Sequence, residues 1–355
     1  MTLLDRYVAA TIVAYFWQAL AALTAVFTVV TLTEELRSVG SPGWGVAQVL
    51  WYVLLTVPNE AYALLSPAAL LGTVLGLGRM AGDSEIVALQ ASGVSVLRIA
   101  RSALFAAALL ALAGVLLGEG LAAPLSQRAH ANRAMALSGG RALSTSSGLW
   151  LRDGSRFVNV RALRPDGSFG DVYVFDLPGG RELERFAYAP TALQIGGRWQ
   201  LRDVHEQSFG ARTSETRADS APWDFAIDPK EVRTLWLEPH DLSLVELART
   251  IRSLRLQDQN PLNYQVAFWR RLCAPMYMVV MVLLAVPMVM MGGRSIRVGE
   301  RATLAALVGI GFQMFQEMFT NLGLVMALPP VVIALVPAGA ASALALGLYR
   351  RRTLQ

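Results

Sequence analysis

The sequence predicts a membrane α-helical fold: six transmembrane helices in two groups of three, with an all-β domain inserted between the groups. Three observations carry that prediction. Apolar residues make up 54% of the 355 residues and charged residues only 16%, against about 25% charged in an average soluble protein. The apolar excess is confined to residues 8–123 and 268–349. Between these stretches lie the short alternating runs of a β-rich, water-exposed domain.

A helix needs about 20 predominantly apolar residues to cross a bilayer core. Six segments qualify: residues 8–32, 46–77, 102–123, 268–291, 302–325 and 331–348. The second is long for one straight crossing and contains Pro58 and Pro67, so a kink or tilt is expected. Residues 1–124 therefore hold the first three helices, 125–262 the insert, and 263–355 the last three. Arginine sets the orientation. Arg6, Arg79, Arg98, Arg101, Arg294, Arg297, Arg301, Arg350, Arg351 and Arg352 fall on one side, whereas the short loops on the other, 33–45 and 326–330, hold only Arg37. The positive-inside rule then places both termini in the cytoplasm and the insert outside. The first apolar stretch lacks a small-residue cleavage site and is not expected to be a removable signal.

In the insert, strand-like runs begin at Leu149, Arg156, Asp171, Ala192 and Arg198. Turn signals separate them at Asp153-Gly154, Pro165-Asp166-Gly167, Pro178-Gly179-Gly180 and Gly196-Gly197, the last reading as a tight hairpin. Regular short strands suggest a sandwich or jelly roll. Residues 241–257 read as an amphipathic helix, with Asp241 or Ser243 as cap and Leu244, Leu247, Ile251 and Leu254 on one stripe.

Several function classes are disfavoured. The net charge is +5 and Lys230 is the only lysine, with no basic stripe carrying interleaved aromatics, so nucleic acid is not an expected partner. Cys273 is the single cysteine, which precludes an intrachain disulfide. His130, His205 and His240 are far apart in sequence and lack metal-ligand spacing. Trp150, Trp199, Trp223 and Trp236 read as core or rim residues of the β domain. No Gly-x4-Gly-Lys-Ser/Thr loop is present. The chain is therefore expected to be no enzyme and to bind no cofactor, and any ATP-driven work it does is expected to draw on a partner.

The most informative loop runs from Arg79 to Ser95. Ser84 is placed to cap a short helix, Glu85 sits in its first turn where negative charge suits the dipole, and Gly93 ends it. Ile86, Leu89 and Gln90 share a face. By physics alone, such an element is either an interfacial amphipathic turn or a force-transmitting helix between two spans.

A resemblance adds to this reading. Leu70-Leu71-Gly72-Thr73-Val74-Leu75-Gly76-Leu77-Gly78, followed by Ser84-Glu85 and Gln90-Ala91-Ser92-Gly93, is similar to the LptF/LptG permeases of the lipopolysaccharide exporter. So are Leu4-Asp5-Arg6-Tyr7, Leu328-Pro329-Pro330 and Leu335-Val336-Pro337. The opening tetrapeptide and the proline pair favour the LptG branch over LptF. The resemblance implies a bacterial inner-membrane transport subunit whose insert is a periplasmic β-jellyroll. Implied partners are an LptF-like permease, a dimer of an LptB-like ATPase that holds ATP and Mg, an LptC-like periplasmic bridge, and lipopolysaccharide as substrate. It also implies that the helix at about 84–93 is a coupling helix whose Glu85 pairs with a basic residue of the ATPase.

Arg is well shaped to grip lipid phosphates. Candidates are Arg37, Arg128, Arg133, Arg270 and Arg271, each of which is alternatively an anchor at headgroup level. Arg37 and Arg133 match family positions near the lipid. Thr31 stands where the family can show a lysine, with Glu34 and Glu35 following. Gln313, Glu317 and Asn321 recur every four residues on one face of the fifth span, beside Gln316. An ionisable group at that depth is expected to face the bundle interior or a cavity. Gly72-x3-Gly76 and Gly114-x3-Gly118 read as close-packing sites. Against the transport reading stand a scaffold that only docks periplasmic proteins and a membrane enzyme acting on lipids.

Overall fold

The computed structural model describes residues 3–40, 43–137, 143–153, 155–164, 167–178, 182–195, 198–209, 214–223, 239–256, 259–291 and 298–353. The Gly196-Gly197 turn, Gly154, Pro165-Asp166, Gly179-Gly180, Lys230, Trp236, Arg294 and Arg297 lie outside the described residues.

Two compact units emerge. The first comprises residues 1–33, 56–126 and 262–355, and the second 34–55 and 127–261. The helices are α1 (Leu3–Leu36), α2 (Val46–Ala63), α3 (Leu65–Gly82), α4 (Glu85–Ala91), α5 (Val96–Leu117), α6 (Ala123–Leu137), α7 (Leu244–Leu256), α8 (Leu262–Met291), α9 (Val298–Val325) and α10 (Pro330–Thr353). Five are long and apolar enough to cross a membrane, and the α2–α3 pair makes up to six. That agrees with the membrane-helical fold and inserted β domain read from the sequence.

The kink expected in the second span is present as a sharp break. Helices α2 and α3 meet at Leu64 with a 64° bend. Pro67 explains the position: in a continuous helix its ring would clash with the carbonyl four residues back, at Ala63. The third span also departs from its expected end. Helix α5 passes through a π-helical turn, Gly118–Ala122, directly into α6, so the helix runs on to residue 136.

Within the first unit, α8 packs against α3, α5 and α10, and its Met281, Leu284 and Ala285 are buried. Gly72 lets α3 touch α1 backbone to backbone: a Cβ added there would lie 2.4 Å from the Phe16 Cα. At Gly118 an added Cβ would lie 2.4 Å from the Tyr62 ring. Both small-residue motifs thus serve close packing.

The second unit holds one antiparallel sheet in sequence order: β1 (Leu143–Asp153), β2 (Arg156–Leu163), β3 (Phe169–Asp176), β4 (Arg185–Ile195), β5 (Arg198–Ser208) and β6 (Ser214–Trp223). Its connectivity is up-and-down, and the two-layer arrangement expected for a sandwich is not seen among the described strands. One face is apolar, with Val158, Val160, Val172, Ala189 and Val204 buried and Phe169 stacked 4.2 Å from Trp199. Ala134 and Met135 of α6 pack on it. Trp199 and Trp223 are core residues, while Trp150 is half-exposed and stacks on Phe175. Asp171 and Asp203 have left-handed φ of 48° and 53° and are absent from the strand pairing. Each kinks its strand locally while the register on either side stays the same. Phe169 and Val172, three apart, therefore face the same side. Asp tolerates this conformation better than most side chains.

Helix α7 starts at Ser243, not Asp241. Ser243 Oγ accepts from the Glu246 N–H, and Glu246 accepts from the Ser243 N–H at 2.9 Å, a reciprocal capping box. Burial alone would push the Glu246 carboxyl up, but donors from Ser243 and from Gln127 Nε2 hold it below the ordinary range. A depressed carboxyl contributes stability above its unfolded value, about 4.3, and that contribution is lost as pH falls through its folded value. Glu246→Gln keeps the box without the titration and should flatten this part of the acid melting profile. Glu246→Ala should cost about 1 kcal/mol at pH 7. Melting of the full-length detergent-solubilised protein at pH 7 and pH 4 reads both.

Candidate functional site

Helix α4 is anchored on one side and open on the other. Ile86 is buried in the bundle core and Leu89 packs against it. Gln90 Nε2 lies 3.9 Å from Met290 Sδ, while Val87 is exposed. So Ile86, Leu89 and Gln90 do share the inward face. Gly93, at φ 87°, closes the helix: its N–H donates to Gln90 O, and Val94 N–H donates to Leu89 O. This is a Schellman ending. The start differs from expectation. Ser84 holds the N-cap position in left-handed geometry, φ 60°, and its side chain makes no capping hydrogen bond. Ser84 is thus a corner, turning the chain from α3 into α4 across only Asp83 and itself. Glu85 is partly exposed at the helix start, where Tyr7 Oη of α1 donates to both carboxylate oxygens at 3.1 and 3.0 Å.

The arginine candidates separate into three kinds. Arg37 and Arg128 are exposed and enter no ion pair among the described residues. Arg133 Nε donates to Glu35 at 2.9 and 3.0 Å, with its guanidinium 5.8 Å above the Tyr52 ring. Arg271 is turned inward. Its Nε donates to Glu119 Oε1 at 2.6 Å, its Nη2 to the Gly118 carbonyl at 2.6 Å, and its guanidinium lies 4.9 Å from the Tyr62 ring centre. A π-turn frees backbone carbonyls from the regular ladder, and Arg271 fills that need. Arg271 is therefore a packing element of this chain.

Arg270 pairs with Glu317 at 3.0 Å, bridging α8 and α9. The Glu317 side chain is 60% exposed and Asn321 is exposed as well. Within this chain the stripe lies on the outer surface of α9 and not in the chain's own bundle interior, with Gln313 and Gln316 only partly buried. The charge partner of Glu317 within this chain is Arg270 of α8.

Three features were not read from the sequence. Thr31 and Thr28 both donate to Glu60, at 2.7 and 3.1 Å, so Thr31 serves a carboxylate. His130 and His240 both converge on Asp241, 1% exposed, at 3.4 and 3.6 Å, and Gln127 ties the same turn through the Asp241 carbonyl. The two histidines are isolated in sequence but not in space. Trp44 lies 5.9 Å from Tyr52, which in turn packs on His130 at 5.7 Å. Pairings across 98 or 114 positions leave no local signature. Among the described residues no group of three His, Cys, Asp or Glu is placed to hold a metal.

Long apolar helices with exposed outer faces, a short surface helix between two of them, and an inserted antiparallel sheet define a multi-pass membrane protein with an inserted β domain. The family model for "Lipopolysaccharide export system permease LptF/LptG" matches residues 6–351. The chain belongs to that family. It is 30% identical over 354 residues to the lipopolysaccharide export system permease protein LptG of Escherichia coli K12, covering 99% of this chain and 98% of the relative. With LptG of Haemophilus influenzae the identity is 30% over 337 residues, 94% of each.

Proposed function

We propose that this chain is one permease subunit of an ABC transporter that extracts lipopolysaccharide from the bacterial inner membrane. In this reading it pairs with an LptF-like permease and sits on a dimer of an LptB-like ATPase, which holds ATP and Mg. It hands lipid to an LptC-like periplasmic bridge. Both termini are cytoplasmic and the inserted domain is periplasmic in this reading, which the arginine distribution supports.

The observation that carries this reading is α4. It is a surface helix with Ile86 and Leu89 in the bundle, Val87 exposed, and a carboxylate at its leading end. Links of only a few residues join it to α3 and α5, so a push on α4 is delivered to both. Tyr7 extends the linkage to α1. ATP-driven closure of the ATPase would move α4 and narrow a cavity shared by the two permeases. Arg133 and Arg37 contact lipid phosphates, Arg133 as a charge already oriented by Glu35. The outer surface of α9, with Glu317 and Asn321, faces that cavity or the sister subunit. The apolar face of the sheet receives acyl chains.

Purification of the tagged full-length chain from membranes should recover an ABC ATPase in stoichiometric amount. Recovery of periplasmic proteins alone would favour the scaffold reading and sink this one.

A further inference from the structure

We propose that the groove between α5, α8 and α10 is a binding site for an anionic diacyl phospholipid that is not the exported lipid. The groove has a volume of about 950 Å³, large enough for a sizeable lipid fragment. Its chemistry is divided along its length. Arg98 and Arg101, in the first turns of α5, and Arg350, at the end of α10, stand at one end, and no lining residue is acidic. Leu104, Leu283 and Leu346 form the wall beyond them. From Ser95 to Leu104 is nine residues of helix, about 13 Å. That is close to half of a bilayer core about 30 Å thick, so the groove spans one leaflet from headgroup to acyl depth.

A second observation points to a ligand. Tyr349 Oη, on the groove wall, is buried and has no hydrogen-bond partner among the described residues. A buried hydroxyl without a partner is costly, and a phosphodiester or glycerol ester oxygen at the arginine end would accept from it once the Tyr349 side chain turns its Oη into the groove. Basic pockets between transmembrane helices suit anionic headgroups, and Arg also offers planar donors to phosphate. Three positive charges at one end and an apolar wall beyond them match the charge and the apolar length of an anionic lipid, which an apolar segment of a partner subunit does not, so a lipid is assigned to the groove.

The test uses the full-length protein with its partner chains, delipidated in detergent. It is then incubated with equimolar palmitoyl-oleoyl phosphatidylglycerol and phosphatidylcholine, and retained lipid is read by native mass spectrometry. The wild-type protein should retain phosphatidylglycerol preferentially. Arg98→Gln/Arg101→Gln/Arg350→Gln should lower that retention about tenfold or more, whereas the corresponding triple lysine variant should keep most of it. Leu346→Trp, which fills the apolar wall and leaves the arginines in place, should lower retention too, so the result does not hang on one variant folding. Equal retention of the two lipids, no retained lipid in the wild type, or unchanged retention in the glutamine variant would overturn the proposal. So would displacement of phosphatidylglycerol by purified lipopolysaccharide, which would make the groove part of the export path.

Discussion

Glu85→Ala should assemble into the membrane normally and fail to transport. Among the described residues Glu85 accepts only from Tyr7, in an exposed hydrogen bond, and solvent competition leaves such a bond little weight in folding. Folding is therefore nearly untouched. Against an ATPase, the same carboxylate would lose a desolvated charge partner. That costs about 2 kcal/mol or more, roughly 30-fold in affinity. Tyr7→Phe is the matched control: it removes the internal hydrogen bond, keeps the charge, and should transport near the wild-type rate. ATPase recovery and lipopolysaccharide release from proteoliposomes are the measurements. A Glu85→Ala complex that assembled and transported like the wild type would remove α4 from the coupling role.

Arg271→Ala should be the most destabilising single change among the candidate arginines. It strands Glu119 beside the π-turn and leaves the Gly118 carbonyl without its donor. Removing one partner of a buried ion pair costs about 3–5 kcal/mol. Glu119 is 28% exposed, so the lower end applies, about 3 kcal/mol. The double variant Arg271→Leu/Glu119→Leu should regain much of that loss, because an apolar pair replaces two desolvated charges. Melting of the detergent-solubilised protein gives the stability, and transport by the double variant separates packing from lipid contact. If the double variant melted like the wild type but failed to export lipid, Arg271 would return to the substrate contacts. Arg128→Ala, exposed and outside any ion pair among the described residues, should leave the melting temperature unchanged.

What could be read from the sequence follows a physical division. Spans are legible because the bilayer demands about 20 apolar residues, and Leu3–Leu36 or Pro330–Thr353 leaves no other reading. Helix α7 was legible because its stripe and its Ser243–Glu246 box are local. The break at Leu64 was not placed, since either Pro58 or Pro67 was able to cause it and only Pro67 does. The run of α5 into α6 was hidden because Gly118-Glu119-Gly120 looks like a helix end. It continues because Arg271, 153 positions away, caps the freed carbonyl. Ser84 was read as a cap from its residue type, whereas the tight corner after α3 forces it into left-handed geometry. The left-handed backbone at Asp171 and Asp203 interrupts strand alternation without moving the register, which local pattern reading cannot follow. The outward placement of Glu317 became legible only when its partner, Arg270, was seen on the neighbouring helix.

The central claim is that lipopolysaccharide passes from Arg133 to the apolar face of the sheet when ATP is turned over. A photocrosslinking residue placed in turn at Arg133 and at Val158, in the assembled complex with lipopolysaccharide, tests it most directly. The account predicts an adduct at Arg133 with or without ATP and an adduct at Val158 only with ATP. Absence of lipopolysaccharide from both positions in an actively transporting complex would contradict it.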